Sequence, residues 1–238
     1  QLVQAFGGEF KQIIIGGAPL NAEVEAFLRR IKFPVTVGYG MTETAPLISF
    51  TPWDRFRSQS CGQVLKGFME ARIANPDADE VGKIQVRGEN VMVGYYKNEQ
   101  ATKDSFTADG WLRTGDLGVI DQDGYIYIKG RCKTMLLGPS GQNIYPEEIE
   151  AKINNMPYVL ESLVLQKDTR LVALVCPDFE AVDADKLTQE QLEVVMEENR
   201  KLVNAELAAY EQINELRIYT HEFEKTPKKS IKRFLYEA

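Results

Sequence analysis

The sequence is poor in the residues on which several classes of protein depend. It has one histidine, His221, and three widely separated cysteines, Cys61, Cys132 and Cys176, which do not follow the spacing of metal ligands. No apolar run approaches the roughly 18 residues that a membrane-spanning helix needs. The sequence therefore argues against a metal site built on histidine and cysteine. It predicts free thiols in a reducing, cytoplasmic environment.

Basic residues are also scarce relative to acidic ones. The chain has 28 lysines and arginines against 35 aspartates and glutamates, a net charge of -7. A general nucleic-acid-binding protein needs a basic surface that releases counterions, so we expect no nucleic-acid partner. With 238 residues, of which 44% are hydrophobic, the chain has the composition of a globular protein of one or two domains. It begins with Gln1 rather than methionine, and we expect it to be part of a longer protein.

A β-α-β unit is predicted near the start of the chain. Residues 12–15 form a short apolar run typical of a buried parallel strand, and Asn21 is suited to cap a helix. Apolar residues recur at helical spacing across residues 24–31, which predicts one apolar helix face before the next strand. Ligands of such units bind beyond the carboxyl ends of the strands, which here are residues 16–19 and 38–44.

The second of these strand ends carries side chains with distinct chemistry. Glycines flank Tyr39 and allow the backbone to approach a ligand closely. Tyr39 can present its ring to a base, and Thr42 can donate its hydroxyl to a phosphate. Glu43 can hold Mg²⁺, a hard cation that prefers oxygen ligands. The alternative is an ordinary strand-to-helix connection in which Thr42 caps the helix.

A predicted hairpin brings two further side chains together. β-rich runs lie on either side of the turn at residues 121–124, so Asp116 at the hairpin's entry should lie beside Arg131 at its exit. A carboxylate beside a guanidinium suits a ligand with both hydroxyls and phosphate. The carboxylate accepts from a diol, and the guanidinium binds phosphate oxygens. A surface ion pair at the base of the hairpin is the simpler alternative.

The remaining segments predict two parts of different architecture. Short alternating strands from residue 69 onward form a β-rich subdomain. Residues 134–238 predict an α+β domain with a helix capped by Thr188 and a last strand at residues 216–220. The predicted fold class is thus α/β and α+β. It comprises the last part of a large α/β domain with a β-rich subdomain, followed by a small α+β domain.

Motifs in a fixed order connect these features to a known family. They are residues 38–43 (GYGMTE), 82–96 (GKIQVRGENVMVGYY), 113–117 (RTGDL), 130–131 (GR) and 141–150 (GQNIYPEEIE). In this order they resemble the motifs of the adenylate-forming (AMP-binding) superfamily, which includes acyl-CoA synthetases, luciferases and adenylation domains. The GGAPL segment near the start and the TP and IKR segments near the end most resemble bacterial long-chain fatty acid–CoA ligases.

The resemblance implies a reaction and a domain organisation. A fatty acid would be activated by ATP and Mg²⁺ to acyl-AMP and then transferred to coenzyme A. Residues 1–130 would be the C-terminal part of the AMP-binding domain, 131–133 a hinge and 134–238 a mobile C-terminal domain. The family's phosphate-binding loop is absent, so we expect it in a missing N-terminal part of the same protein. We expect this chain to be inactive alone.

The same resemblance implies the site residues of the first domain. Glu43 would hold Mg²⁺ and act with Thr42 in catalysis, and Asp116 would accept from both ribose hydroxyls. The nucleotide-binding set drawn from the strand ends and the hairpin would be Gly16, Gly17, Ala18, Tyr39, Gly40, Thr42, Asp116 and Arg131. Such sites work mainly by positioning and by stabilising charge as pyrophosphate leaves.

The hinge and the second domain would supply the remaining site residues, which are a hinge lysine, a loop for coenzyme A and a catalytic cation. Lys133 matches the hinge position, where a polar residue can absorb dihedral change without exposing core. The family's catalytic lysine follows Thr-Pro by three positions, where this chain has Ser230. Lys229, one residue earlier, is therefore the candidate, and a disordered basic tail is the alternative. The residues of the loop facing coenzyme A would be Gly138, Gly141, Gln142 and Asn143.

Three other functions are compatible with the sequence. One is the adenylation of a different acid, whether aryl, short-chain or amino acid. Another is a nucleotide-binding regulatory module or pseudoenzyme, which Ser230 in the lysine position supports. The third is a membrane-surface adaptor that uses the basic residues 225–233, although the net charge of -7 argues against it. Peripheral membrane contact also suits an enzyme that handles fatty acids.

Overall fold

A computed structural model describes residues 2–227 and 229–238. The chain divides into two compact units, the first ending at Cys132 and the second spanning Lys133–Ala238. All three cysteines are free. Within the described residues, no helix is long and apolar enough to cross a membrane.

The first unit begins with the predicted β-α-β arrangement. After a short helix α1 (Leu2–Ala5), strands β1 (Ile13–Ile15) and β2 (Val35–Val37) pair in parallel on either side of helix α2 (Ala22–Arg30). Asn21 caps α2 as expected, because its side-chain oxygen accepts hydrogen bonds from the backbone N–H groups of Glu23 and Val24.

The prediction that strand β1 and the apolar face of helix α2 are buried is wrong. Ile14 of β1 is exposed, and so are Val24, Phe27 and Ile31 on the apolar face of α2. In the part of the chain that the structure describes, β1 and β2 form a two-stranded sheet, and no second layer covers this face. Helix α2 instead packs through Glu25, whose buried carboxylate accepts from Ser58 and Gln59.

The rest of the first unit is β-rich, as predicted. The strands β3 (Tyr39–Gly40), β4 (Leu47–Phe50) and β5 (Gln63–Val64) form one antiparallel sheet. A four-stranded antiparallel sheet follows, and helix α3 (Glu99–Ser105) precedes its third strand. Its strands are β6 (Met69–Ala74), β7 (Gly82–Gly88), β8 (Leu112–Ile120) and β9 (Ile126–Arg131). The buried core shared by these sheets contains Ile48, Met69, Ile84, Val86, Leu112 and Ile126.

The second unit is an α+β domain. A three-stranded sheet has the order β12 (Val159–Lys167), β13 (Arg170–Pro177) and β14 (Ile213–Ile218), with β12–β13 antiparallel and β13–β14 parallel. The last strand begins three residues before the predicted start at 216, because Leu171 of β13 pairs with Ile213 and Asn204 accepts from the Ile213 N–H. The other elements are β10 (Leu136–Leu137), β11 (Asn143–Ile144) and helices α4 (Pro146–Ile153), α5 (Phe179–Ala184) and α6 (Gln189–Ala205).

Local signals set the helix starts in this unit. Pro146 occupies the first turn of α4, where its missing N–H costs nothing. Thr188 and Gln191 form the predicted capping box of α6, each side chain bonding the other's backbone N–H. Helices α4 and α6 bury Ile149, Ile153, Leu192, Met196 and Val203 against the sheet. The mixed α/β and α+β fold class predicted from the sequence is confirmed.

Candidate functional site

Asp116 lies at the centre of the candidate site. Residues 116 and 131 are direct partners on β8 and β9, and the Arg131 Nη1 donates to Asp116 Oδ1 at 2.7 Å. The Tyr39 hydroxyl donates to the other carboxylate oxygen, Asp116 Oδ2, at 2.6 Å. The hairpin geometry predicted from the sequence is therefore present, and Tyr39 at the start of β3 adds a third side chain to it.

The three groups differ in exposure, and this defines what the site offers a ligand. The Asp116 side chain is 8% exposed, whereas that of Arg131 is 60% exposed. Burial, followed by the nearby Asp116 charge, raises the pKa of Tyr39 well above its usual range, so the phenol stays a hydrogen-bond donor. Each carboxylate oxygen of Asp116 has a second lone pair, so the carboxylate can still accept from a diol.

The backbone around Asp116 is held from both sides. The buried Thr114 hydroxyl donates to the Ile84 carbonyl at 2.9 Å and accepts from the Asp116 N–H at 3.1 Å. Gly115 has φ +79°, a left-handed conformation that other residues rarely adopt, and its carbonyl accepts from the Cys132 N–H at 2.9 Å. The RTGD motif thus has a conformational reason for glycine at its third position.

The other predicted nucleotide-binding residues lie near the ends of the two parallel strands. The Gly38 N–H donates to the Ile15 carbonyl at 2.9 Å, and a Cβ added to Gly16 would lie 3.3 Å from the Gly38 carbonyl oxygen. The loops after β1 and β2 are therefore neighbours, and Gly16, Gly17 and Ala18 are all exposed at this edge.

Gly40 has a structural role that the sequence did not reveal. A Cβ at this position would lie 1.9 Å from the Pro46 carbonyl oxygen, so only glycine allows β3 to approach the start of β4. Close packing of the chain on itself thus explains this glycine without any ligand. Its predicted contact with a nucleotide stays a prediction.

The segment after β3 is a single 3-10 turn, residues Thr42–Thr44, rather than a helix capped by Thr42. The Thr44 hydroxyl lies 2.7 Å from the Pro46 carbonyl and helps to close the turn. Asn90 supports it from outside, donating to the carbonyls of Thr44 at 2.6 Å and Leu47 at 2.9 Å. The Thr42 side chain is exposed, and no hydrogen bond from the described residues occupies its hydroxyl.

Glu43 on the same turn is held by a residue that sequence reasoning missed. The Tyr95 hydroxyl donates to Glu43 Oε1 at 2.7 Å, and the Met92 N–H donates to the Glu43 carbonyl at 2.8 Å. Both partners, like Asn90, belong to the motif at residues 82–96. Their membership of this motif is the feature of the sequence that could have identified them as site residues.

The donor set around Glu43 fits Mg²⁺ of the kind that nucleotide sites hold. Such ions usually keep several waters and take one or two carboxylates, with substrate phosphates completing the shell. The described residues contain no group of three or more histidine, cysteine, aspartate or glutamate side chains that could hold a metal by themselves. One carboxylate beside Thr42 therefore suits a metal that arrives with its nucleotide.

The second unit carries the remaining predicted site residues. Lys133 is its first residue and is exposed. The loop between β10 and β11 is closed by a hydrogen bond from the Gly138 N–H to the Gln142 carbonyl at 2.8 Å. Gly138 is buried, Gly141 is exposed and has φ +83°, and Gln142 and Asn143 are partly buried. The roles predicted for these residues stay predictions.

Backbone hydrogen bonds connect the described residues on either side of Lys229. The Thr226 N–H donates to the Ser230 carbonyl and the Lys229 N–H to the Thr226 carbonyl, both at 2.8 Å. Lys229 is exposed at the top of this turn with φ +59°, and no described carboxylate pairs with it. Lys225 and Lys232 are paired with carboxylates. Lys228 lies outside the described residues.

Comparison with known proteins connects this geometry to a family. Residues 2–96 match the family model of AMP-binding enzymes. The chain is 34% identical over 187 residues to the long-chain-fatty-acid–CoA ligase FadD15 of Mycobacterium bovis, an alignment that covers 78% of the chain. The chain belongs to the adenylate-forming (AMP-binding) enzyme family. The resemblance inferred from the motifs is thereby confirmed.

Solved structures of this family share the fold over almost the whole chain. The chain superposes on o-succinylbenzoate CoA synthetase (MenE) from Bacillus subtilis, in complex with its acyl-adenylate, with a TM-score of 0.77. The identity is 26%, and the match covers 100% of the chain and 49% of MenE. ATP-bound MatB from Rhodopseudomonas palustris gives a TM-score of 0.75 and 29% identity, over 96% of the chain and 45% of MatB.

The chain is shorter than the AMP-binding enzymes that it matches. It spans 30% of the length of FadD15 from Mycobacterium bovis. The motifs, the fold and the family are properties of this chain. An enzymatic activity would belong to the whole protein.

Proposed function

We propose that the full-length protein that contains this sequence is an acyl-CoA synthetase that activates a long-chain fatty acid. We call it the parent protein. The observation that carries the proposal is the arrangement of Tyr39 and Arg131 around the buried Asp116 carboxylate. It combines an acceptor for a diol with an exposed cation, in a chain of the AMP-binding family. Support for a long-chain acid comes from the similarity to FadD15.

In the proposed first step, a carboxylate oxygen of the acid attacks the α-phosphorus of ATP. The new oxygen–phosphorus bond forms as the bond to the β-phosphate oxygen breaks, and pyrophosphate leaves with the electron pair. Asp116 binds the ribose hydroxyls, and Tyr39 lies beside the base. Glu43 would bind Mg²⁺, and the Thr42 hydroxyl donates to a phosphate oxygen. When bound, Mg²⁺ held by Glu43 would neutralise the charge that develops on the phosphates. In the second step the thiol of coenzyme A loses its proton to solvent and its sulfur attacks the acyl carbon. The bond from that carbon to the phosphate oxygen breaks, and AMP leaves with the electron pair.

We assign the cation of the first step to Lys229. Its freedom from any described carboxylate distinguishes it from Lys225 and Lys232, whose charges are neutralised by neighbours. A positive group aimed at the departing pyrophosphate lowers the barrier by stabilising the charge that develops there. The loop at residues 138–143 is proposed to face coenzyme A, and Lys133 to act as the hinge between the half-reactions.

A second candidate function is the activation of a different carboxylic acid. It is favoured by the similarity to MenE, whose structure holds the o-succinylbenzoyl adenylate. The match to a 4-coumarate–CoA ligase-like protein of rice, 37% identical over 169 residues, points the same way. Both candidates share the nucleotide chemistry and differ only in the acid. The N-terminal part, the cytoplasmic location and peripheral membrane contact stay predictions.

The test is pyrophosphate release by the parent protein with ATP and Mg²⁺, comparing palmitate with short-chain and aryl acids. We expect release to be fastest with palmitate and to fall about 10²-fold or more in Lys229→Ala, because a positioned charge of this kind contributes that much to catalysis. Faster release with an aryl acid would favour the second candidate. Nucleotide binding without release, together with release gained in Ser230→Lys, would mean that the lineage has lost its first half-reaction.

A further inference from the structure

A buried ion pair joins the chain's C-terminal segment to the first helix of the second unit. Arg233 Nη1 donates to Glu150 Oε1 at 2.6 Å across 83 residues of sequence. The side chains are 20% and 12% exposed, so the pair is largely removed from water. A buried ion pair contributes little net stability compared with apolar residues of similar volume, because both charges lose hydration. Unlike an apolar contact, the pair fixes the relative orientation of its two side chains, because its hydrogen bonds form in one geometry only.

The pair is part of a network that ties three elements together. The same Glu150 oxygen accepts from the Val164 N–H at 2.7 Å, and Arg233 Nη2 donates to the Val164 carbonyl at 2.6 Å. Helix α4, strand β12 and the C-terminal segment are therefore fixed to one another around a single residue of β12. The planar guanidinium bridges a carboxylate and a carbonyl at once, which a lysine ammonium cannot match in geometry.

A second attachment holds the other end of the same segment. Lys225 Nζ lies 2.8 Å from Glu161 Oε2, and the Phe223 N–H donates to Glu161 Oε1 at 2.9 Å. An isolated bridge between Lys225 and Ile231 then closes the hairpin-like turn. Lys229 lies between these two attachments, so its backbone position is set on both sides by contacts with β12.

We propose that Glu150 and Arg233 are positioning residues that hold the Lys229 turn in the geometry required for adenylation. This inference rests on the proposed function, and in particular on Lys229 as the cation of the first step. It assigns a role to the last glutamate of the motif at residues 141–150 and to the arginine of the IKR segment. Neither side chain needs to contact the nucleotide for this role.

The experiment separates the two half-reactions in the parent protein. Adenylation is followed as fatty-acid-dependent exchange of labelled pyrophosphate into ATP, and thioester formation as conversion of preformed acyl-AMP with coenzyme A. In Arg233→Met and Glu150→Gln we expect exchange to fall about 10- to 100-fold, because displacing a catalytic group by about 1 Å has effects of this size. Thioester formation should change less than about threefold, since no pyrophosphate departs in that step.

Two further variants keep the result interpretable. Arg233→Lys retains the charge without the planar fork, and exchange should lie between the wild type and Arg233→Met. Arg217→Met removes an exposed arginine that pairs with Glu215 in the same unit, and it should behave as the wild type in both assays. Equal losses in both half-reactions, or no loss of exchange, would overturn the positioning role. An absence of exchange in the wild type would instead reject the proposed function.

Discussion

The Tyr39 hydroxyl donates a 2.6 Å hydrogen bond to Asp116 across 77 residues of sequence. It connects the end of the β-α-β unit to the β8–β9 hairpin, two parts of the first unit that the sequence predicted separately. Because the phenol stays protonated, the bond keeps one carboxylate oxygen oriented while leaving its second lone pair available. This relationship organises the candidate site and gives the most direct test of it.

Replacing Tyr39 with phenylalanine should weaken nucleotide binding by the parent protein about tenfold or more. A hydrogen bond to a charged group contributes about 1.5–3 kcal/mol, and each 1.4 kcal/mol corresponds to a factor of ten in affinity. The dissociation constant for AMP, measured by titration calorimetry, checks this. Tyr127→Phe is the matched control, because its hydroxyl lies 3.4 Å from Asp121, a different carboxylate of the same hairpin. Unchanged affinity in Tyr39→Phe would argue against the site.

Replacing Asp116 with asparagine should remove discrimination among nucleotides with different sugars. The wild type should prefer ATP over its 2′-deoxy and 3′-deoxy analogues, because each analogue removes one donor to the carboxylate. The variant should bind all three weakly and alike. Inhibition of pyrophosphate release by each analogue gives the comparison, with Asp121→Asn, which loses an exposed pair with Arg57, as control. Retained sugar preference in Asp116→Asn would place the ribose elsewhere.

Replacing Tyr95 with phenylalanine should raise the Mg²⁺ concentration required for half-maximal pyrophosphate release about threefold to tenfold. The Tyr95 hydroxyl fixes one oxygen of Glu43, and groups that orient a metal ligand typically influence metal affinity by about ten- to 100-fold. We expect the lower part of that range because Glu43 supplies only part of the shell. The neighbouring Tyr96 is 88% exposed, so Tyr96→Phe serves as control. An identical Mg²⁺ dependence in both variants would contradict this role for Tyr95.

The stability of the second unit should fall as pH rises from about 4.5 to about 7. Burial raises the pKa of Glu150 from 4.5 to about 7, Glu147 acts in the same direction, and Arg233 opposes them. Glu150 therefore keeps its proton in the folded chain over a pH range in which it is ionised in the unfolded chain. The stabilisation is fully present below pH 4.5 and is lost as pH rises through about 7.

Hydrogen exchange of the β13 amides over this pH range would measure the effect, because these amides report on the second unit alone. Glu150→Gln should lack the pH-dependent part, whereas Glu198→Gln, an exposed position on α6, should retain it. The same pH dependence in Glu150→Gln as in the wild type would assign the titration to another group.

Several local features could be predicted because short segments decide them. The β-α-β pairing, the Asn21 cap, the Thr188 capping box and the hairpin that aligns Asp116 with Arg131 all depend on residues close in sequence. Short segments predict neither the exposure of the α2 face nor the early start of β14. The exposure of α2 depends on the number of strands that pack against the helix, and the start of β14 depends on its pairing with a distant strand.

The sequence by itself determined the fold class, because periodicity, capping and turn chemistry act over a few residues. The family followed from the ordered motifs between residues 38 and 150, which resemble those of AMP-binding enzymes. The tertiary structure alone decided which side chains support the candidate site. Tyr95 reaches Glu43 across 52 residues, and Arg233 reaches Glu150 across 83. Contacts of this kind leave no local pattern, since they arise only when separate elements pack together and buried polar groups must find partners.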